Sequence, residues 1–376
     1  MPSPTSRSAS GTAGGKCRVM VVDDSAVIRG FFRRALEADP GLEVVASVGN
    51  GQAAIDSLKR NPVDVIVLDI EMPVMDGMTA IPKLLEVDPD VRIVMASTLT
   101  LANAEISMKA LSIGATDYIP KPTTSADIHS SEWFGRELVE KVTGLGKSAR
   151  GKKTKSTAAK PAPGKHGSAL YSDPITLRTA AILPAQVVAI GSSTGGPQAL
   201  MKVLEQLGSD FPNPILITQH MPATFTGILA EHVSKAAGIP AAEAKDGEPV
   251  KPRRIYIAPG DWHMTVEATD QGPVIRLNQN PPENFCRPAV DVMLRGMAEV
   301  YGGRLLVVIM TGMGHDGLDG GRTIIKQGGT MIAQDEQSSV VWGMPGAVAT
   351  AGLCSAVIPL DQIAAKIRSI SGRAAA

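Results

Sequence analysis

Short, nearly unbroken apolar runs alternate with stretches whose apolar residues recur every three or four positions. Runs at 18–22, 44–48, 63–68, 93–96 and 117–119 predict strands, and stretches at 26–38, 52–59 and 103–113 predict helices. Solid apolar strands separated by helices are the pattern of a parallel sheet covered on both faces. The pattern resumes with strands at 187–190, 215–219, 255–258 and 305–310, a helix around 198–207 and a hairpin through 274–277. Both halves read as α/β, and no internal repeat marks a solenoid or propeller.

At 376 residues the chain exceeds one ordinary core, which stops growing near about 250–300 residues. A hydrophobic fraction of 44% is ample for two. Between the halves, residues 144–172 hold seven basic residues and no acidic one, and they are rich in Lys, Pro and Gly. This composition predicts a flexible basic linker. The expected organisation is a disordered tail at 1–15, a first domain at 16–143, a linker at 144–184 and a second domain at 185–371.

Charge then excludes several functions. Thirty-seven basic and 37 acidic residues cancel, so no global electrostatic grip on nucleic acid or anionic lipid is expected. Three scattered cysteines, Cys17, Cys286 and Cys354, offer neither a disulfide framework nor a zinc site, which fits a reducing cytosol. The stretch before Lys16 lacks the apolar core of a signal peptide. The longest uncharged run, 340–360, carries Pro345 and Pro359 and reads as buried loop, helix and strand rather than a membrane span. The expectation is a cytoplasmic protein.

Open parallel sheets bind ligands beyond the carboxyl ends of their strands. In the first half those ends carry Asp23 and Asp24, Asp69, Ser97 with Thr98, and Lys121. Hard carboxylate oxygens with room for water suit Mg²⁺, and an aspartate beside it can accept a phosphoryl group while a lysine and a hydroxyl neutralise the oxygens. Each acid alone also reads as a helix cap; it is the set that is specific. VVDDS, LDIEMPVMDG, the hydroxyl pair and the KP dipeptide resemble the receiver domains of two-component response regulators, over about residues 16–143. The resemblance implies a flavodoxin-like (βα)5 fold with Asp69 as phospho-acceptor. It makes Asp23 and Asp24 the metal-side acids, with the Glu71 backbone carbonyl completing an Mg²⁺ site. Lys121 takes the phosphate-sensing role and Ser97 the switch hydroxyl, ambiguous by one position with Thr98. Tyr118 takes the aromatic switch position, and it reads equally as a core aromatic.

In the second half a strand runs into Gly191-Ser192-Ser193-Thr194-Gly195, a G-x-S-x-G turn before a helix. Such a turn presents a nucleophilic serine, or else cradles a phosphate, so a base and an acid are needed to decide. His220 ends the strand ILITQ on the same rim and is the best of six histidines as base. His263, in a turn region, is the reserve; His129, His166 and His232 are badly placed, and His315 would point outward. Asp316 follows the strand LLVVIM and is the candidate acid. The histidine takes the serine proton and the carboxylate orients it, while backbone N–H groups of Thr194 and Met313 are placed to hold an oxyanion. The order Ser, His, Asp is not that of α/β-hydrolases.

AIGSSTGGPQAL, ITQHMP, YIAPGDWHM, RPAVDVM, TGMGHDG and VVWGMP resemble the catalytic domain of the chemotaxis receptor-glutamate methylesterases, the CheB family. His315 stands where many members have asparagine. The resemblance implies a doubly wound α/β domain with a mostly parallel sheet and a Ser193–His220–Asp316 triad. It implies hydrolysis of glutamyl methyl esters, often with glutamine deamidation, on cytoplasmic helices of chemoreceptors, and no cofactor for that chemistry. The implied partners are a chemotaxis histidine kinase as phosphodonor and methylated receptors as substrate, with no nucleic acid and no membrane insertion. A receiver tethered to a hydrolase further implies that phosphorylation relieves an inhibitory docking. Two rivals stand beside this reading: a non-catalytic module that binds a nucleotide or partner, and a hydrolase of a different receptor class.

Overall fold

The computed structural model describes residues 15–98, 100–121, 132–156, 174–181 and 183–372. Most of the tail, His129, His166 and residues 157–173 of the expected linker lie outside them.

The first half alternates strand and helix: β1 (Cys17–Val22), α1 (Ala26–Glu37), β2 (Leu42–Val48), α2 (Gly51–Arg60), β3 (Val65–Asp69), α3 (Gly77–Val87), β4 (Arg92–Ser97), α4 (Leu101–Ser112), β5 (Asp117–Pro120) and α5 (Glu132–Ser156). The sheet order is 2-1-3-4-5 and every pairing is parallel. The order reverses between β1 and β3, so the ends of those strands flank the crevice where such sheets hold ligands.

α5 corrects one expectation. The segment from 144 onward was expected to be linker, yet the helix continues to Ser156. Its cause is a face that averaged composition conceals: Phe134, Leu138, Val142, Leu145 and Ala149 recur at helical spacing and are buried. Phe134, Leu138, Val142 and Leu145 pack with Val19 and Val21 of β1 and with Phe32 of α1.

The second half comprises β6 (Val187–Ser192), α6 (Gly196–Leu207), β7 (Ile215–Gln219), α7 (Ala223–Ala237), β8 (Ala241–Glu243), β9 (Ile255–Ile257), the antiparallel pair β10 (His263–Thr269) and β11 (Gly272–Asn278), α8 (Val290–Tyr301), β12 (Leu305–Ile309), α9 (Leu318–Lys326), β13 (Thr330–Gln334), α10 (Met344–Thr350), β14 (Ala356–Ile358) and α11 (Leu360–Ser371). Seven of these strands form one sheet in the order 14-13-12-6-7-9-8, all parallel. The switch point lies between β6 and β12, which fixes where a site belongs. The uncharged run contains α10 and β14, both in the packed core. No helix among the described residues is long and apolar enough to cross a membrane.

The two sheets meet through side chains. Tyr118 stacks on Phe225 of α7 with ring centroids 4.2 Å apart, and Gln198 of α6 donates to the carbonyls of Leu111 (2.8 Å) and Ala115 (2.6 Å). Met313, Val340 and Val341 join the cluster centred on α5.

Candidate functional site

At the first switch point one carboxylate oxygen each from Asp23, Asp24 and Asp69 lies within 4.8 Å of the others. Asp23 is buried after β1, Asp69 is buried at the end of β3, and Asp24 is exposed. The Lys121 ammonium reaches both buried acids, 2.6 Å from Asp23 Oδ2 and 2.6 Å from Asp69 Oδ1. Burial raises the Asp69 carboxyl above its ordinary range, opposed by the bond and charge of Lys121. A set of hard carboxylate oxygens suits Mg²⁺. Asp23 is no helix cap: the cap of α1 is Ser25, and Asp23 Oδ1 accepts from the Ser25 N–H at 2.9 Å. Glu71 follows Asp69 by two residues, its side chain exposed. Neither hydroxyl faces the acids through a hydrogen bond. Ser97 Oγ pairs with Ser107 Oγ of α4 at 3.1 Å, and Thr98 Oγ1 accepts from Asn103. Tyr118 is buried against Phe225, so the aromatic position is part of the contact between the halves.

The second switch point brings together the other three residues. β6 ends in the turn that carries Ser193, where Gly195 adopts φ +75° at the head of α6, a conformation that suits a residue without Cβ. His220 directly follows β7, and its N–H donates to the Ser192 carbonyl at 3.1 Å. Gln219 ties the two turns, donating to the Ser193 carbonyl (2.9 Å) and the His220 carbonyl (3.2 Å). His220 Nε2 lies 2.7 Å from Asp316 Oδ2. Asp316 is buried; burial raises its carboxyl, but the bond and charge of His220 outweigh that and bring it to about 2. Nδ1 is thus the nitrogen left for a serine proton. Among the described residues it faces Cys286 Sγ at 3.4 Å, and Ser193 Oγ makes no hydrogen bond. The N–H groups of Thr194 and Met313 likewise have no partner among the described residues. They are free donors on the turns that flank the serine. The arrangement sets a serine hydroxyl, a histidine held by a carboxylate and two N–H donors on one rim, a set that can serve acyl transfer.

The reserve histidine has another use. His263 heads β10 rather than a turn and is fully buried, its Nδ1 accepting from the Ala289 N–H at 3.2 Å and its Nε2 3.2 Å from the Pro281 carbonyl. His315 is exposed, as expected, and His232 lies on α7.

Comparison with known proteins settles the family. The CheB methylesterase family model matches residues 188–367, and the response regulator receiver domain model matches 19–131. A protein-glutamate methylesterase/protein-glutamine glutaminase of Azospirillum brasilense is 57% identical over all of this chain and 98% of its own length. The chain belongs to the CheB methylesterase family. Protein-glutamate methylesterase/protein-glutamine glutaminase 1 of Paramagnetospirillum magneticum is 54% identical over 95% of this chain and 96% of its own. Among solved structures, the CheB methylesterase catalytic domain of Thermotoga maritima is 41% identical, covering 50% of this chain and 99% of that one, with a TM-score of 0.48.

In this CheB-family chain four supports of the site escaped the sequence reading. Gln219 and Thr311 are polar residues at strand ends; Thr311 Oγ1 donates to the Thr194 carbonyl at 2.9 Å and so ties the serine turn to the loop after β12. Asn284 and Asp291 sit behind Asp316. Only Asp291 left a trace, as an acid within the apolar stretch AVDVM. The methylesterase rim also carries receiver contacts: Arg136 of α5 lies 4.1 Å above the Phe285 ring, next to Cys286.

Proposed function

We propose that this chain is a phosphorylation-gated serine hydrolase that cleaves glutamate methyl esters, and deamidates glutamines, on cytoplasmic helices of chemoreceptors. What supports the reading most is the 2.7 Å contact of His220 with a buried Asp316, on the rim that also carries the Ser193 turn. The names of the relatives point to the same two reactions.

Ser193 Oγ attacks the ester carbonyl as its proton passes to His220 Nδ1, and Asp316 stabilises the imidazolium through Nε2. The oxyanion is held by the N–H groups of Thr194 and Met313. Collapse of the tetrahedral intermediate breaks the bond to methoxide, which leaves as methanol with the proton from His220. A water then repeats the sequence on the acyl-serine. A glutamine enters the same path with ammonia as leaving group.

Asp69 is the phospho-acceptor in this reading, with a chemotaxis histidine kinase as donor. Asp23, Asp24 and Asp69 would hold Mg²⁺ with the Glu71 carbonyl; bound, the ion neutralises phosphoryl charge. Lys121 pairs with the acids before phosphorylation and with the phosphoryl group after it. The contacts of Tyr118, Gln198, Met313 and Phe285 describe a docked receiver whose release exposes the rim. Moving that equilibrium from 99% docked to 1% takes about 5.5 kcal/mol.

The test of the chemistry is methanol release from methylated chemoreceptor membranes by the wild-type chain and by Ser193→Ala. Release by the first and silence of the second is expected; equal release would overturn the assignment of the nucleophile.

A further inference from the structure

Asp291 is a buried carboxylate that the proposed chemistry does not use. It stands in the first turn of α8, yet it accepts hydrogen bonds from a different helix. Its Oδ1 takes the N–H groups of Gly317 (3.0 Å) and Gly320 (2.6 Å), the first turn of α9. The residue at the head of α9 is Gly317, which has no side chain with which to cap the helix. Asp291 supplies both the missing acceptor and the negative charge favoured at a helix N-terminus. The two helices approach closely at this point, since a Cβ on Gly320 would lie 2.9 Å from the Asp291 carbonyl oxygen.

Asp316 is the residue immediately before that cap. Its Oδ1 accepts from the Asp291 N–H (2.9 Å) and the Gly317 N–H (3.0 Å), and its Oδ2 from the Val290 N–H (2.6 Å). Asn284 completes the frame, its Nδ2 donating to Asp291 Oδ2 (2.9 Å) and to Asp316 Oδ1 (3.1 Å). Apart from the Gly317–Asp316 bond, which joins neighbouring residues, these bonds span the gap between the α8 and α9 starts or the Asn284 loop. We propose that Asp291 is the positioning residue of the triad: by capping α9 from α8 it holds the Asp316 carboxylate in register with His220 Nε2. The inference rests on the triad reading.

The charged groups around it are few. Asp316 faces it directly, with His220 and Cys286 beyond, and Arg295 lies one turn further along α8, paired with Glu283. Burial and the charge of Asp316 raise the Asp291 carboxyl to about 6.

The experiment compares the full-length chain with Asp291→Asn and Asp291→Ala, using methanol release from methylated chemoreceptor membranes across pH, with Ser193→Ala alongside. Asn keeps one acceptor for α9 but turns an amide against Asn284; Ala keeps none. The expected kcat falls about tenfold to hundredfold for Ala and less for Asn, because small misplacements at a reacting centre cost that much. KM stays within about twofold, and the pH limb set by His220 moves to lower pH as Asp316 drifts from Nε2. Phosphoryl uptake at Asp69 and the thermal unfolding midpoint report whether each variant is folded. Wild-type kcat in both variants, or a loss of kcat with an unmoved pH limb, overturns the proposal while Ser193→Ala is silent. Activity in Ser193→Ala overturns the triad and the proposal together.

Discussion

The methyl of Met313 occupies the space that a side chain at Gly144 would fill. The first residue belongs to the loop after β12, the second to helix α5. A Cβ there would overlap the Met313 methyl and meet Val341 at 3.5 Å, so a larger side chain at this position must displace the end of Met313. Gly144→Val is expected to raise unstimulated methanol release about threefold to tenfold, a loss of about 1 kcal/mol of docking energy. Its stimulation by a phosphodonor shrinks in proportion. Steady-state rates with and without acetyl phosphate check this; an unchanged basal rate would place the docked contact elsewhere.

Arg136 offers an independent handle on the same docking. Its guanidinium covers the Phe285 ring, which is 74% exposed even so, and neither residue belongs to a reacting set. A cation–π contact at such a site contributes about 0.5–1 kcal/mol. Arg136→Ala should therefore raise the basal rate about twofold to fivefold and leave the phosphorylated rate as in wild type. A fall in the phosphorylated rate would mean that Phe285 acts on the Cys286 loop rather than on docking.

The pH dependence follows from His220. Burial lowers its basicity, but the sulfur of Cys286 at Nδ1 and the Asp316 carboxylate at Nε2 outweigh it and hold the imidazole well above its ordinary 6.5. A proton retained above that value occupies the base, so kcat/KM should rise with pH through a limb lying above 6.5. In stability the sign is opposite: the contribution is complete below 6.5 and is lost as pH rises through the raised value. Cys286→Ala removes one of the raising partners and should move the limb to lower pH. Rate profiles of the two proteins decide it, and coincident limbs would remove Cys286 from the account.

Much of this was legible in the chain because buried parallel strands are solid apolar runs. VVAIGS, ILITQ and LLVVI announce themselves, and the residues that follow them share one rim by topology alone. That route singles out Ser193, His220 and Asp316, and in the first half it singles out Asp23, Asp24 and Asp69. α5 was hidden because Gly144, Gly146 and the lysines dominate its composition, while the face bearing Leu145 and Ala149 shows only as spacing. Asn284 and Cys286 were invisible for a different reason. They come from a segment in which Asn284 and Phe285 take φ of 52° and 63°, and no periodicity foretells which way such a loop aims its side chains. The switch hydroxyl is read from position alone, and in the structure the Ser97 hydroxyl pairs with that of Ser107.

The lysine of the acidic rim provides a further check. Lys121 holds two buried carboxylates at 2.6 Å each, so Lys121→Ala leaves Asp23 and Asp69 facing each other uncompensated. Removing one partner of a buried pair costs about 3–5 kcal/mol. The first half of the chain should melt earlier in the variant, with phosphodonor stimulation lost and basal esterase activity retained or raised. Calorimetry and the rate assay together read this, and stimulation of wild-type size would contradict the role of Lys121.

The central claim is that one chain joins a phosphoryl switch at Asp69 to hydrolysis at Ser193. The most direct measurement is methanol release from methylated chemoreceptor membranes by wild type, Asp69→Asn and Ser193→Ala, each before and after acetyl phosphate and Mg²⁺. The account predicts acceleration of wild type, a slow rate insensitive to the phosphodonor in Asp69→Asn, and silence in Ser193→Ala. Acceleration of Asp69→Asn, or release by Ser193→Ala at the wild-type rate, would contradict it.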